Sequence, residues 1–251
     1  MITRSIARIA FLTFFAFIGI SQAEEPLDKT ELKKAGTILF LGDSITYSGT
    51  YVAYFDAWLR TEFPKQTPKA LNAGVPSETV SGLSEPNHAN GKFPRPDLAE
   101  RLDRVLATAK PDLIFACYGM NCGIQQPLDP ERFAAYQKGI LSLKEKAEAS
   151  GVDIIFVTPP IYDAQRNPNK AFYREVLDHY STWLISQRKE GLKVIDLHFP
   201  MQAALDAERK NKPAFTFQKD AVHPDQAGHR IMALSLIRAF DPKFSTKEFE
   251  S

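Results

Sequence analysis

The stretch TILFLGDSIT occupies residues 37–46 and joins a compact apolar run to a short polar turn. The apolar residues follow one another without alternating with polar ones, which is typical of a strand buried on both faces. Gly42 ends the run, and Asp43 and Ser44 follow it directly. We therefore expect a parallel sheet between two helical layers, with Ser44 at the carboxyl end of one strand.

Further apolar runs predict four more strands, at residues 69–73, 113–118, 152–157 and 192–197. Apolar residues at helical spacing predict helices within residues 51–59, 98–109, 133–150, 173–184 and 201–209, and a last one from about residue 225. Strands that alternate with helices predict an α/β fold, a three-layer α/β/α sandwich with about five parallel strands. On this interpretation one domain spans residues 24–251.

Residues 75–96 form the least regular part of the chain, because six of them are glycine or proline. A loop of this length in a compact domain is often functional. Phe93 is the only Phe, Tyr or Trp residue in it, which argues against a deep tunnel for a long acyl chain. Four of its polar side chains could face a sugar, and the alternative is that they are solvated; they are Glu78, Asn87, His88 and Arg95.

Ligands of open parallel sheets bind at the carboxyl ends of the strands. This rule selects Ser44, Gly74 and Asn121, which follow the first, second and third predicted strands. A serine in this place attacks a carbonyl carbon if a base removes its proton; the alternative is a serine that only makes a turn or a cap. The sequence around Ser44 lacks the Gly-x-Ser-x-Gly pattern, which argues against an ordinary α/β-hydrolase.

His223 is the candidate base, and Asp220 precedes it by three residues. This spacing lets one turn of chain bring the carboxylate against the imidazole, where it fixes the tautomer. The alternative is a capping aspartate beside a surface histidine. His198, after the fifth strand, is the rival base. The other histidines are less suited, since His88 is in the irregular loop and we expect His179 and His229 on polar helix faces.

Acyl transfer also needs hydrogen-bond donors aimed at the oxygen that becomes negative. Gly74 offers a backbone N–H, and Asn121 offers a side-chain amide, each beside a strand end. Both residue types also form turns readily, which is the alternative role for each.

Four segments of the chain resemble the sequence blocks of the SGNH/GDSL hydrolases, in the same order along the chain. They are GDSIT (42–46), NAG (72–74), GMN (119–121) and DAVHP (220–224). The resemblance implies a flavodoxin-like sheet, hydrolysis of esters or thioesters, no metal and no cofactor. It also implies a catalytic triad of Ser44, His223 and Asp220.

The same resemblance implies an oxyanion hole formed by the N–H groups of Ser44 and Gly74 and the amide of Asn121. The third block usually reads Gly-x-Asn-Asp, but Cys122 stands in the last place here. The carboxylate that normally holds this loop is therefore missing, and we expect activity to survive its loss.

The chain has two cysteines, Cys117 and Cys122. We expect two free thiols, with Cys117 in the buried third strand. A disulfide is the alternative, because exported proteins form them readily. Two cysteines without a nearby group of histidines make a poor metal site.

The first 23 residues have the pattern of a secretory signal peptide. Residues 1–8 carry two arginines and no acid, and residues 9–20 are apolar. Residues 21–23 then have small side chains at the first and third positions, as signal peptidase cleavage sites do. We therefore expect a secreted or periplasmic protein. The alternative is a membrane anchor, but twelve apolar residues fall short of the roughly 20 that span a bilayer. Hence no stable membrane insertion is expected after cleavage.

Nothing in the charge balance predicts a nucleic-acid partner, and we expect none. The chain has 31 basic and 30 acidic residues, and removal of Arg4 and Arg8 leaves 29 and 30, a net charge of about −1. A nucleic-acid-binding protein would show a basic patch or stripe instead.

We predict a serine esterase that hydrolyses small acyl esters, with acetyl esters of small molecules or carbohydrates as the favoured substrates. A lysophospholipase or a thioesterase with the same triad is one alternative. A non-catalytic glycan-binding module on the same fold is another. A structural or interaction protein would need a repeat, a linker or a large apolar face, and none is evident in the sequence.

Overall fold

The computed structural model describes residues 26–245, which fold around one sheet of five parallel strands. The strands are β1 (Thr37–Gly42), β2 (Lys69–Asn72), β3 (Leu113–Cys117), β4 (Asp153–Val157) and β5 (Lys193–Ile195). The α-helices of this range are α1 (Lys29–Lys34), α2 (Ser44–Ser48), α3 (Thr50–Glu62), α4 (Leu102–Ala109), α5 (Pro130–Ala149), α6 (Tyr173–Ser186), α7 (His198–Asn211) and α8 (Gln226–Phe240).

The strands lie in the order β2-β1-β3-β4-β5, and every neighbouring pair is parallel. This is the flavodoxin-like order, in which the chain reverses direction across the sheet beside β1. The predicted fold class and number of strands are therefore confirmed. Ligand sites of such sheets lie at the switch point between β1 and β3, where the loops after these strands diverge.

Aromatic side chains fill the space between the sheet and each helical layer. On one face, Phe40 of β1 stacks on Phe115 of β3, with ring centroids 5.2 Å apart, and Phe55 of α3 meets Phe40 edge-on at 5.8 Å. In the other layer, Tyr136 of α5 stacks on Tyr180 of α6 at 4.4 Å. Each buried ring removes a large apolar area from water, which stabilises the three-layer arrangement.

Helix α7 begins three residues earlier than the sequence predicts, at His198 instead of Met201. The hydroxyl of Thr158 accepts the N–H groups of Leu197 and His198 at 2.8 and 2.9 Å. The first N–H groups of a helix have no partner within the helix, so this hydroxyl stabilises the earlier start. In contrast, α8 begins where predicted, because Asp225 accepts the N–H of Gly228 and caps it.

The long loop between β2 and α4 is irregular, as predicted, and contains two 3₁₀ turns at His88–Gly91 and Leu98–Glu100. The predicted signal peptide, residues 1–23, lies outside the described residues. Among residues 26–245, no helix has both the length and the apolar character needed to cross a bilayer.

Candidate active site

Ser44 occupies the first position of α2, where the chain turns sharply after β1. Asp43 caps this helix, since its Oδ1 accepts the N–H of Ile45 at 2.9 Å. Gly42 permits the turn, because a Cβ atom there would lie 2.1 Å from Thr46 Oγ1. The GDS sequence therefore fixes the Ser44 hydroxyl at the carboxyl edge of the sheet.

His223 reaches Ser44 from the loop before α8. Its Nε2 lies 2.9 Å from Ser44 Oγ, and its Nδ1 lies 2.6 Å from Oδ2 of Asp220. An ionised carboxylate only accepts hydrogen bonds, so Nδ1 carries the proton and Nε2 accepts from the Ser44 hydroxyl. Burial, the largest single effect, raises the pKa of Asp220, but the hydrogen bonds from His223 and Val222 outweigh it and leave this pKa below its usual value.

The loop that carries the imidazole and its carboxylate is held by buried hydrogen bonds. Ala221 has a φ of 73°, in the left-handed region, and its carbonyl oxygen accepts the N–H of Asp163 at 3.0 Å. Gln218 donates from Nε2 to the carbonyl oxygens of Ile161 and Val222, at 2.6 and 3.0 Å. This support leaves no pattern in the sequence, because Gln218 and Ile161 are 57 positions apart and follow no periodic spacing.

Gly74 lies against the backbone of α2. A Cβ atom at this position would come within 2.3 Å of the Tyr47 nitrogen, so only glycine fits. The Gly74 N–H donates to Oδ1 of Asn72 at 2.9 Å, and Nδ2 of Asn72 donates to the carbonyl oxygen of Thr46 at 2.6 Å. The candidate oxyanion donor is thus beside the nucleophile's helix, but in this structure it is bonded within its own loop.

Asn121 follows β3 and is buried. Its Oδ1 accepts a hydrogen bond from Nη1 of Arg95 at 2.9 Å, and its Nδ2 lies 3.4 Å from the carbonyl oxygen of Glu78. Arg95 is fixed in turn by Glu85, which accepts from Nε at 2.7 Å and from Nη2 at 2.8 Å. The end of the β3 strand and the long loop therefore form one bonded unit.

Two polar residues of the long loop do not have either of the roles considered from the sequence. Glu78 and Arg95 are buried, so they are neither solvated nor turned toward a sugar. Glu78 accepts hydrogen bonds from Arg101 and from the Tyr118 hydroxyl, the latter at 2.6 Å. A buried charge needs such partners, and the loop sequence alone does not reveal them. Asn87 is exposed, in line with a solvated loop residue.

The model of the GDSL-like lipase/acylhydrolase family matches residues 40–231, which is most of the chain. The chain belongs to this family. This GDSL-like hydrolase is 26% identical over 223 residues to an acetylxylan esterase from Geobacillus stearothermophilus. The aligned residues cover 80% of this chain and 92% of that protein. Family membership makes it a carboxylic ester hydrolase.

Solved structures share the fold of this GDSL-like hydrolase. A catalytic mutant of an acetylxylan esterase from Geobacillus stearothermophilus aligns with a TM-score of 0.62 and 23% identity, over 84% of this chain and 95% of that chain. An alpha/beta hydrolase from the metagenome of Lake Arreo, Spain, aligns with a TM-score of 0.60 and 22% identity, over 84% and 97%. At these identities the structures show a common fold.

Cys122 is buried and has a free thiol, as has Cys117, which confirms the expectation of two unpaired cysteines. Burial, the largest effect, raises the pKa of Cys122 to about 12, although the backbone N–H groups of Val80 and Ser81 oppose this rise. The Ser81 hydroxyl also donates to the Cys122 carbonyl oxygen at 3.2 Å. The GDSL-like hydrolase thus keeps this loop attached to the segment after β3 without a carboxylate at position 122.

Two other histidines of this GDSL-like hydrolase, His198 and His229, have their partners away from Ser44. His198 is buried, with Nδ1 3.1 Å from the carbonyl oxygen of Pro159 and Nε2 2.7 Å from Oδ1 of Asp178, so both its nitrogens are occupied away from Ser44. The expectation for His229 was wrong. Its ring is buried and stacks on Tyr51 of α3, with centroids 6.1 Å apart.

No three His, Cys, Asp or Glu side chains within residues 26–245 gather closely enough to hold a metal ion.

The ionisable group nearest to Ser44 in sequence is Asp43, which is buried. Burial, the dominant effect, raises the pKa of Asp43 to about 6. The charge of His223 opposes this rise, so the carboxyl group of Asp43 and the imidazole interact electrostatically.

Proposed function

We propose that this GDSL-like hydrolase is a serine esterase that removes small acyl groups, acetyl first, from carbohydrates. The observation that carries the proposal is the continuous bonded series from Ser44 Oγ through the His223 imidazole to the Asp220 carboxylate, with distances of 2.9 and 2.6 Å. Such a series activates a serine that would otherwise be a weak nucleophile.

In the proposed mechanism, Ser44 Oγ attacks the acyl carbonyl carbon while Nε2 of His223 takes the hydroxyl proton. Asp220 keeps the imidazole oriented and stabilises its charged form. The N–H groups of Ser44 and Gly74 and the amide of Asn121 bind the oxyanion, for which the Gly74 N–H exchanges its bond to Oδ1 of Asn72 for one to the substrate oxygen. Nε2 then gives the proton to the leaving alcohol, and a water molecule repeats the cycle to release the acid.

Neither of two grooves on the described part of the molecule is placed to hold a long acyl chain at Ser44. Two grooves on the described part of the molecule, of about 650 and 370 Å³, are lined by residues other than Ser44 and His223. A long acyl chain would need a comparable apolar groove leading to the nucleophile. The acetylxylan esterase relative supports acetyl groups on a polysaccharide as the substrate class.

Turnover of 4-nitrophenyl esters from acetyl to decanoyl, together with release of acetate from acetylated xylan, tests this proposal. We expect a preference for acetyl esters and a loss of at least about 10⁴-fold in kcat for Ser44→Ala, in the range found when a triad member is removed. Preference for decanoyl esters would favour a lysophospholipase. Undiminished turnover by Ser44→Ala would refute the mechanism.

A fluorophosphonate probe separates the esterase from a non-catalytic glycan-binding module. We expect the probe to label wild-type protein at Ser44 and to leave Ser44→Ala unlabelled, because only an activated serine reacts. A folded wild-type protein that remains unlabelled but binds xylan would support the binding module.

We also propose that the protein is exported, with residues 1–23 removed. The basic start, the apolar run and the small residues before position 24 support this. Expression of the full chain with mass analysis of the mature protein tests it. A mature protein that begins at Glu24 is the expected result, and an intact amino terminus in the cell interior contradicts it.

A further inference from the structure

We propose that Arg95 is a positioning residue for ester hydrolysis, because it orients the side-chain amide of Asn121 toward the oxyanion. The proposal rests on the proposed function and names a residue that this function has not used. The observation that carries it is the hydrogen bond of 2.9 Å from Nη1 of Arg95 to Oδ1 of Asn121, between two buried side chains.

An asparagine amide has an acceptor on one side and a donor on the other, and its partners decide which way it faces. A guanidinium group only donates, so the side of Asn121 that faces Arg95 must be the oxygen. The Nδ2 group is therefore turned the opposite way. One of its hydrogens faces the carbonyl oxygen of Glu78 at 3.4 Å, which leaves the other for an oxyanion.

Arg95 is itself held too firmly to serve as a substrate contact. Only 5% of its side chain is exposed, and Glu85 binds Nε and Nη2 at 2.7 and 2.8 Å in a two-point pair. Its backbone N–H also donates to the Ser84 hydroxyl at 2.9 Å. Such a planar fork fixes Nη1 in one place, which a flexible lysine ammonium would not do.

The charge of Arg95 has a second consequence for Asn121. A hydrogen bond from a cation to Oδ1 draws electron density from the amide and makes Nδ2–H a stronger donor, as in other cooperative networks. Orientation and polarisation both act on the transition state, in which the carbonyl oxygen carries negative charge. We therefore expect loss of Arg95 to lower kcat and to leave KM nearly unchanged.

A double-mutant cycle on 4-nitrophenyl acetate tests the proposal. Asn121→Ala is expected to lower kcat by about 10² to 10³, the usual effect of losing an oxyanion donor. Arg95→Met alone is expected to lower kcat by about 10², since misplacement of a catalytic group by about 1 Å has effects of this size. In the Asn121→Ala background, Arg95→Met is expected to change kcat less than threefold, because its effect passes through the amide.

Arg95→Lys and Glu85→Gln supply the same comparison if Arg95→Met does not fold. Lysine is expected to restore little of the lost kcat, because it lacks the fork. Arg188→Met is the matched control: it removes two hydrogen bonds from another arginine to the Val194 carbonyl oxygen in β5, the edge strand that β4 separates from β3. This control is expected to lower the melting temperature and to leave kcat unchanged.

Additive losses in the cycle, or an unchanged kcat in a folded Arg95→Met variant, would overturn the role of Arg95. An unchanged kcat in Asn121→Ala would do the same, since there would be no donor to position. The first two results leave the proposed function intact if Ser44→Ala is inactive, whereas the third would also remove Asn121 from the proposed oxyanion hole. Full turnover by Ser44→Ala would instead refute the proposed function, and the role of Arg95 with it.

Discussion

The side chain of Asn72 connects the loop of Gly74 to the helix that carries the nucleophile. Its Oδ1 accepts the N–H of Gly74 at 2.9 Å, and its Nδ2 donates to the Thr46 carbonyl oxygen at 2.6 Å. One amide therefore sets the separation between two parts of the proposed oxyanion hole. Contacts from such supporting side chains often decide how precisely a catalytic group is positioned.

We expect Asn72→Ala to lower kcat about tenfold with little change in KM, because the position of Gly74 relative to Ser44 becomes variable. Asn72→Asp keeps the acceptor for Gly74 but sets a carboxylate oxygen against the Thr46 carbonyl oxygen, so a loss at least as large is expected. Steady-state kinetics on 4-nitrophenyl acetate measure both. Asn87→Ala, in an exposed part of the same long loop, is the control.

An increase in kcat for Asn72→Ala would contradict this prediction. It would mean that Asn72 withholds the Gly74 N–H from the oxyanion instead of positioning it.

Sequence patterns predicted the sheet and the residues at its carboxyl edge for a physical reason. Buried parallel strands leave uninterrupted apolar runs, and their ends converge on one edge, so Ser44 and Asn121 could be placed near each other without knowledge of contacts. The contact between Ser44 and His223, which are 179 positions apart, was predicted from the resemblance to known hydrolases and not from periodicity.

The supporting network could not be predicted in the same way. Arg95 meets Asn121 across 26 positions from inside an irregular loop, and an ion pair in such a loop leaves no periodic pattern. Burial of Glu78 and Arg95 is decided by partners that only the folded chain brings together. The placement of His229 failed for a related reason. Its helix α8 packs on α3 through an aromatic stack that histidine joins with its apolar ring face.

The two thiols are expected to be unreactive in the folded enzyme. Burial raises the pKa of Cys117 well above its usual value and that of Cys122 to about 12, so neither forms an appreciable amount of thiolate at neutral pH. We predict no reaction of native protein with 5,5′-dithiobis(2-nitrobenzoate) at pH 8, and two thiols per chain in guanidinium chloride. Denatured Cys122→Ser is the control and should show one. No thiol in the denatured wild type would instead indicate a disulfide.

Asp43 is expected to make stability fall as the pH rises. Its pKa is about 6 in the folded chain, mainly because of burial, against an ordinary value of 3.8. Between these values the folded chain keeps a proton that the unfolded chain releases, so the free energy of unfolding decreases with increasing pH. The decrease in the free energy of unfolding is complete above pH 6 and amounts to about 3 kcal/mol, since one pKa unit corresponds to about 1.4 kcal/mol.

Asp43→Asn tests this, because the amide oxygen can still accept the N–H of Ile45 and cap α2. We predict that the variant is more stable than wild type at pH 8 and that this advantage disappears at pH 4. Urea unfolding at the two pH values measures the difference.

His229 also titrates, and because burial lowers its pKa to about 4, its contribution to the pH dependence of stability has the opposite sign. This contribution is the same in wild type and in Asp43→Asn, so it cancels in the difference between their stabilities. Asp225→Asn, at the cap of α8, is the matched control. An advantage of equal size at both pH values would contradict the prediction.

Tyr47 is the aromatic side chain best placed to recognise the alcohol part of a carbohydrate ester. It is 64% exposed, although tyrosine has a large apolar face, and it lies three positions after Ser44 in the same helix. Residues with this spacing share a helix face. Its backbone also packs against Gly74, so the side chain leaves the helix beside the proposed oxyanion hole.

We predict that Tyr47→Ser raises KM about fivefold for an acetylated xylooligosaccharide, which corresponds to about 1 kcal/mol of lost ring contact. Ethyl acetate is too small to reach from the Ser44 hydroxyl to an outward-facing ring, so its kcat/KM should stay constant. Leu141→Ser removes an exposed apolar side chain from α5 and serves as the control, with no effect expected on either substrate. If Tyr47→Ser lowered kcat/KM equally for both esters, the ring would act on the geometry of Ser44, because a contact made only with sugar cannot change the hydrolysis of an ester that has none.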